Sequence, residues 1–492
     1  MALTNEKLTS SPTDVEEAIN DTSSDSDALA RLDQLNKEYG ATWDSPSDPN
    51  NPYNWSTARK ISIALIFSFG QLVTLMAASM IAAALDDIIV DLAIDAATAQ
   101  IVFSTYFLGL AFGPFVVAAF SEMHGRKMVW VYSQVWFILW NLVSPFGNSK
   151  GLMIFARLMA GCGASVGTTL TGPVMADMFS ISNRGRSMAI ASFLPFLGPS
   201  LGPIVGGFIT QWVTWQWIFY IMSIFSAALT ILGLFVIRES YTPILLRRKS
   251  PTPSPTKTRL LPSLLRPINL LLHRPIIQLL ALLLALNFGL YSLILSTYAT
   301  LFITRYNQTP SQASLHYLTI SLGGTLAAQI GARMMDVIYR RLKARSPNNT
   351  SVPEFRVPYM VPGFVFVAAG FFWYAWAAQM TAHWAVVDAG TVVFALGSFM
   401  VSQAVLAYKL DEFGDHGASA GAAARCLMYV ASFGFPIFAP GLYAALGYGW
   451  GNSIFGFAWV VLAWPMLPVF WVFGARLRAL GRAEGEHGVV GV

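Results

Sequence analysis

The sequence predicts an all-helical integral membrane protein of twelve spans, arranged as two sets of six. Three observations predict it. Of its 492 residues 55% are hydrophobic and 12% charged, against about a quarter charged in soluble globular chains. Runs of roughly 20 apolar residues recur along the chain, each long enough to cross about 30 Å of hydrocarbon as a helix that satisfies its own backbone polar groups. A basic, proline-rich stretch then divides these runs into equal halves.

Residues 1–55 are polar, rich in Ser, Asp, Asn and Glu, without an early apolar region. They lack the pattern of a cleaved signal peptide and read as a disordered cytoplasmic tail. Apolar runs with charged borders place the first six spans near Ile61–Leu85, Thr98–Phe120, Met128–Phe146, Gly151–Phe179, Ser187–Thr210 and Trp217–Ile237, a bundle within 56–237. From 238 to 274 the chain is basic and punctuated by proline, as in Arg247-Arg248-Lys249-Ser250-Pro251-Thr252-Pro253. Such a composition reads as a linker. Six further spans follow near Pro275–Tyr298, Ser314–Asp336, Pro358–Met380, Trp384–Leu410, Ser419–Leu446 and Ile454–Phe473, a second bundle within 275–475, with a tail over 476–492.

Charge supplies the orientation. With both termini inside, the inner loops hold Arg126, Lys127, Arg184, Arg186, the basic linker, Arg340, Arg341, Lys343 and Arg345, and the tail adds Arg476, Arg478 and Arg482. The opposite loops carry only Lys150 and Arg305, with Asp86, Asp87, Asp91 and Asp95 after the first span. Excess Lys and Arg mark the cytoplasmic side. The net charge of +5 is thus spread over short loops rather than gathered on a groove, which argues against nucleic acid. Cys162 and Cys426 lie inside spans, so neither a disulfide framework nor a zinc site is expected, and no cofactor or metal is. Asn307-Gln308-Thr309 is a glycosylation acceptor on the outer side, close to the membrane boundary; the acceptors at Asn54, Asn348 and Asn349 fall inside and are expected to be unmodified.

Between the second and third spans stands Ser121-Glu122-Met123-His124-Gly125-Arg126-Lys127, a tight loop holding an acid and two bases. It resembles the signature of the major facilitator superfamily in the form found in fungal twelve-span drug:proton antiporters, with His124 where an aromatic is usual. Gly125 permits the turn, while Glu122 and Arg126 can pair with charges on neighbouring helix ends and release them in another conformation. The loop reads either as such a latch, with Lys127, Asp177 and Arg184 as further members, or as basic residues obeying the topology rule. Asp177 is the candidate partner of Arg126 or Arg184.

Two more motifs extend the resemblance. Arg157-Leu158-Met159-Ala160-Gly161-Cys162-Gly163 puts an arginine within an apolar helix. The resemblance implies that Arg157 takes part in proton coupling; pairing with a backbone carbonyl or another span is the structural alternative. In the fifth span Gly198-Pro199-Ser200-Leu201-Gly202-Pro203-Ile204-Val205-Gly206-Gly207 resembles the sequence that marks antiporters in this superfamily. Glycines at 198, 202 and 206 form a smooth stripe, and Pro199 and Pro203 remove backbone donors, so a pliable gate or close helix packing follows. Trp215-Gln216-Trp217-Ile218-Phe219, Arg238-Glu239-Ser240-Tyr241-Thr242-Pro243, Gly434-Phe435-Pro436-Ile437-Phe438 and Tyr443 also match, so the resemblance covers nearly everything after Asn51. Gly331-Ala332-Arg333-Met334-Met335-Asp336, followed by Arg340-Arg341, is an internal echo of the first loop.

Members of this superfamily bind substrate between the halves, so polar residues deep in the spans are candidates: Gln71, Asn287, Tyr291, Gln403 and Tyr429, with Thr74 and Gln329 beside them. Each serves equally as a helix-packing hydrogen bond. Asp388 and Arg425 stand near opposite ends of second-half spans. Few fixed charges and many aromatics favour a largely apolar, uncharged or weakly cationic solute. The expected protein is a monomeric efflux transporter of the plasma membrane, working among membrane lipids and exchanging a drug, toxin or secondary metabolite for protons. The alternatives are a polyamine exporter or nutrient importer of the same fold, a passive channel, and a non-transporting sensor or enzyme. The last lacks a nucleophile with a neighbouring base or a metal-ligand set.

Overall fold

The computed structural model describes residues 36, 40–45, 47–146, 149–179, 194–250, 268–346, 352–413 and 417–480, and among these there is no strand. In the first half α1 (Thr57–Ser79) passes through a 3-10 turn, Met80–Ala84, into α2 (Leu85–Asp91). Then come α3 (Ala96–His124), α4 (Arg126–Val143), α5 (Lys150–Met178), α6 (Gly198–Trp212) and α7 (Gln216–Val236). The short helix α8 (Thr242–Lys249) opens the linker. In the second half follow α9 (Pro275–Tyr306), α10 (Pro310–Leu315), α11 (Leu318–Leu326), α12 (Ala332–Arg345), α13 (Val357–Gln379), α14 (Trp384–Phe413), α15 (Gly417–Ala458) and α16 (Met466–Ala479).

Eight helical runs among the described residues are long and apolar enough to cross a membrane by themselves. One of them, Gly421–Ala479, contains two spans, because Gly447 takes φ +71° and breaks the run. Three predicted spans fall outside this set for local reasons. The third, α4, carries Gln134 and Asn141, both buried and bonded to α7 rather than facing lipid. The fifth begins within 180–193, outside the described residues, and is seen from the 3-10 turn Leu194–Leu197 onward. The eighth is interrupted by a π-turn, Ala327–Gly331, between α11 and α12. The fold is thus two six-span halves, and its outer surface is apolar: Phe235 is 83% exposed, with Ile224, Val461 and Val472 exposed likewise. A face of that kind is stable only against hydrocarbon.

Small residues set the closest seams. A Cβ on Gly109 would lie 2.7 Å from the Gly161 Cα, and one on Gly397 2.5 Å from the Val367 amide. These contacts lock α3 to α5 and α13 to α14. The halves meet through α3 and α15, where Phe107 stacks on Tyr429 with centroids 6.2 Å apart.

Two polar segments are more ordered than their composition suggests. From Gly40 onward the chain before α1 packs against α8: Lys249 Nζ lies 2.6 Å from Asp44 and 3.5 Å from Asp48, and Trp43 and Trp55 are buried. Tyr53 donates to the Ala176 carbonyl at the end of α5. Two tryptophans and a buried Asp48 anchor a stretch otherwise made of turn formers. Residues 1–35, 251–267 and 481–492 lie outside the described residues, as do Asn348 and Asn349.

Candidate transport cavity and its gates

At the end of the bundle where α3 gives way to α4, Gly125 takes φ +93°, a conformation glycine adopts without penalty. Arg126, 9% exposed, reaches Asp177 at the end of α5 (Nε to Oδ2, 3.2 Å) and donates to Ser121 Oγ at 2.7 Å. Its guanidinium lies 4.3 Å from the centre of the Tyr241 ring. Asp177 also accepts the Ser240 hydroxyl at 3.2 Å. The structure therefore pairs Asp177 with Arg126; Arg184 lies outside the described residues. Glu122 stands half-buried on the last turn of α3, and Lys127 donates from Nζ to the Leu234 carbonyl at 2.8 Å.

The acid that completes this cluster is Glu239, which lay within a matching motif of the linker without being read as part of the latch. Its carboxylate accepts the backbone amides of Arg126 and Lys127 and so caps α4 from the end of α7. No local signal reveals this, since the partners are more than a hundred residues apart.

Arg157 is 1% exposed. It donates to the carbonyls of Ala77 on α1 (3.0 Å) and of Phe103 (3.4 Å) and Val102 (3.5 Å) on α3, and lies 4.5 Å from the Tyr106 ring centre. Tyr106 in turn donates to the Thr74 carbonyl, and Thr74 to the Ala164 carbonyl. Three helices are tied by one guanidinium, which is the arrangement the structural alternative required.

The glycine stripe of α6 faces α1. A Cβ on Gly198 would meet the Leu75 Cβ at 2.6 Å, one on Gly202 would lie 2.8 Å from the Met76 carbonyl, and one on Gly206 would press on the Met80 carbonyl. Gly207 instead faces the second half, where a Cβ would meet Ser314 Oγ at 2.5 Å and the Pro310 carbonyl at 2.6 Å. Pro199 lines the cavity below, and Pro203 is buried in the helix. Ser200 bonds the Tyr317 carbonyl at 2.7 Å and Ser321 Oγ at 2.6 Å, while Thr300 reaches Asp86 at 3.4 Å and the Ser311 amide reaches Gln211 at 3.3 Å. The ends of the two halves remote from Arg126 are thereby closed on each other.

Beneath this closure lies a cavity of about 320 Å³ between the halves. Of the candidate residues, Gln71, Tyr291, Gln403 and Tyr429 line it and Asn287 does not. Asn287 is fully buried and donates to the Ser398 carbonyl and Ser402 Oγ, so it ties α9 to α14. Thr74 is committed to helix packing, and Gln329 is exposed on the π-turn, away from the cavity. The wall is mostly apolar and rich in aromatic rings, Phe107, Phe196, Phe288 and Phe399 standing beside Tyr291 and Tyr429, and none of its residues is charged. The Tyr291 hydroxyl is buried without a hydrogen-bond partner among the described residues.

Two second-half networks complete the geometry. The echo of the first loop centres on Arg356 rather than on Arg340 and Arg341. Arg356 opens α13, pairs with Asp411 at the end of α14 (2.8 Å), lies 3.8 Å from Asp336 and packs on the Tyr339 ring. This repeats the relation of Arg126 to Asp177 and Tyr241. At the remote end His316 bonds Asp388 and Gln308 (2.7 and 2.9 Å), with the Tyr298 hydroxyl on the other Asp388 oxygen at 2.7 Å. Nearby, Asn307 is exposed in a left-handed C-cap, and Thr309 of its acceptor triplet is engaged in a capping box with Gln312. Trp215 is buried and donates to Asp91 at 2.7 Å, tying the start of α7 to the end of α2.

Two six-span halves enclosing a cavity and closed at one end define a multi-pass membrane transporter. The family model described as Major Facilitator Superfamily matches residues 67–436, and the chain belongs to that family. It is 36% identical over 428 residues to a probable efflux pump, mfs2, of Aspergillus flavus, covering 83% of this chain and all of that one. An uncharacterized transporter of Schizosaccharomyces pombe is 35% identical over 471 residues, 92% of this chain and 95% of its own. The efflux pump vrtL of Penicillium aethiopicum is 32% identical over 457 residues, with 90% of each chain covered. Among solved structures, the partially occluded inward-open xylose transporter XylE of E. coli superposes with a TM-score of 0.64 at 16% identity, over 85% of this chain and 98% of that one. A D-xylose-proton symporter gives 0.65 at 17%, over 84% and 97%. At such identity these likenesses speak for the fold alone.

Proposed function

We propose that this chain exports a small, largely apolar molecule, a drug, toxin or secondary metabolite, in exchange for protons, by rocking its two halves about the central cavity. The observation that carries the reading is the cavity itself, lined by Phe107, Phe196, Phe288, Tyr291, Phe399 and Tyr429 and by no charged side chain. Such a wall takes up an apolar solute by burial and fixes it with the few polar groups present, among them Gln71, Gln403 and the Tyr291 hydroxyl. Fungal relatives named as efflux pumps support the direction, and the likeness of the glycine and proline pattern over 198–207 to antiporters supports proton exchange. In this reading the chain works as a monomer in the plasma membrane with both termini cytoplasmic, as the placement of Lys and Arg favours. The closed end then faces outward, and the Arg126–Asp177 pair lies on the cytoplasmic side.

The test is accumulation of fluorescent drugs and fungal metabolites in transporter-deficient yeast producing this chain, with and without a protonophore. Lower accumulation that the protonophore abolishes is the expected result. Unchanged accumulation of every compound, with the protein confirmed at the cell surface, would count against efflux of that class.

A further inference from the structure

Lys409 and Arg425 are two cations that the cavity wall does not include but that stand directly beside it. Lys409 lies on α14, one turn beyond Leu406 and nearly two beyond Gln403, and Arg425 on α15, one turn before Tyr429; Leu406, Gln403 and Tyr429 all line the cavity. Lys409 is only 5% exposed. The Nε of Arg425 is buried without a hydrogen-bond partner among the described residues. The two side chains are near enough to act on each other electrostatically.

The described carboxylates at this end of the second half already serve other bases. At this end of the second half Asp411 is taken by Arg356 (2.8 Å), Glu412 by Arg274 (3.5 Å) and Arg478 (3.1 Å), and Glu354 by Arg478 (2.8 Å). Asp336 also faces Arg356. Both cations therefore sit within a membrane span, repelling each other, while each described acid at this end of the second half serves another base. Buried charge of this kind is costly and persists where something else compensates it. An anion between them would do so, since a carboxylate accepts hydrogen bonds from both an ammonium and a guanidinium.

We infer that Lys409 and Arg425 form an anion subsite at the edge of the aromatic cavity, and that the cargo is a lipophilic monoanion, a carboxylate or an equally acidic enol on an apolar body. The inference rests on the cavity being the cargo site, and it replaces the expectation of an uncharged or weakly cationic solute. The apolar body occupies the space between Phe107, Phe288 and Phe399, and the charged head reaches toward the cytoplasmic end of α14 and α15. Recognition is then divided, with burial supplying uptake and the two cations selecting charge.

The experiment uses the purified full chain in lipid nanodiscs with two probes, 1-pyrenebutyrate and its uncharged methyl ester. Binding is read at neutral pH as energy transfer from tryptophan to pyrene. The acid is expected to bind at least about tenfold more tightly than the ester. Lys409→Gln and Arg425→Gln should each bring the acid close to the ester's affinity while leaving ester binding unchanged, which also shows that the variants are folded. Lys409→Arg should retain the preference. Equal binding of acid and ester, or a preference that survives both glutamine variants, would overturn the anion subsite and leave the cavity reading intact. Binding of neither probe would overturn the cavity as a general apolar site, and the inference with it.

Discussion

The carboxylate of Glu239 lies 2.8 Å from the backbone nitrogen of Arg126 and 3.2 Å from that of Lys127. The same group accepts the amides of Ser240 (3.1 Å) and Tyr241 (3.0 Å) and is 8% exposed. A helix start carries unpaired N–H groups and partial positive charge, and a buried carboxylate satisfies both. Gly125 makes room for it: a Cβ there would collide with the Glu239 carboxylate. One glycine thus serves two ends, the turn at φ +93° and the close approach of the cap.

Removing this cap should therefore act on stability as well as on gating. Glu239→Ala leaves buried N–H groups without an acceptor and is expected to cost about 2–4 kcal/mol, with Glu239→Gln intermediate. Gly125→Ala should match the alanine variant, through strain and collision together. Thermal unfolding in detergent, followed by tryptophan fluorescence, checks both; an unchanged melting temperature for Glu239→Ala would refute the capping role.

Arg157 makes a second, separable case. Its guanidinium serves carbonyls on α1 and α3 at once, which one ammonium cannot match. Arg157→Lys, though it keeps the charge, should lose most of the melting temperature that Arg157→Ala loses, and transport should fall in parallel. If Arg157→Lys instead melts like the parent chain and keeps transport coupled to the proton gradient, charge rather than the three-helix tie is what matters there.

The sequence made the spans legible because each is a long apolar run, and it made Gln71, Tyr291, Gln403 and Tyr429 legible because polar atoms stand out in such runs. Phe107, Phe288 and Phe399 were not legible. A phenylalanine facing a cavity and one facing lipid, such as Phe235, leave the same mark on a helix whose every side is apolar. Asn287 shows the converse, since a buried amide bonded to Ser398 and Ser402 is indistinguishable in sequence from one that faces a cavity. Lys409 does not stand out in the sequence, because a lysine near the end of a span is the ordinary sign of topology. Glu239 stands in the sequence only as part of a matching motif, because a cap supplied from another helix has no spacing to betray it.

The glycines of α6 divide into two roles that a pair of variants separates. Gly202 abuts α1 within its own half, whereas Gly207 abuts Ser314 and the Pro310 carbonyl across the interface. Gly202→Ala should lower the melting temperature without favouring either state. Gly207→Ala should hold the remote ends apart. With Cys162 and Cys426 replaced by serine, a cysteine at position 314 should then react faster, by about tenfold, with a membrane-impermeant thiol reagent applied outside cells. Equal reaction rates in the presence of Gly207→Ala and Gly202→Ala would show that Gly207 does not govern the closure.

The packing of residues 40–56 on α8 should depend on pH in a way its charges fix. Burial pushes the Asp48 carboxyl up, but the amides of Asn50 and Asp44 and the Lys249 ammonium outweigh this and leave it below its ordinary value. A carboxylate depressed by folding adds stability above its unfolded value, about pH 4, and that stability is lost as the pH falls through the folded value. The hydrogen bond to Asp44 raises Lys249, with Asp48 adding to it, so its contribution is complete below about pH 10 and lost as the pH rises through the folded value. Docking should thus be fullest between about pH 4 and 10. Acrylamide quenching of Trp43, as the difference between the parent chain and Trp43→Phe, should stay low across that window and rise outside it. In Asp48→Asn the acid limb should weaken while the alkaline limb persists; an acid limb unchanged in that variant would assign the loss to other groups.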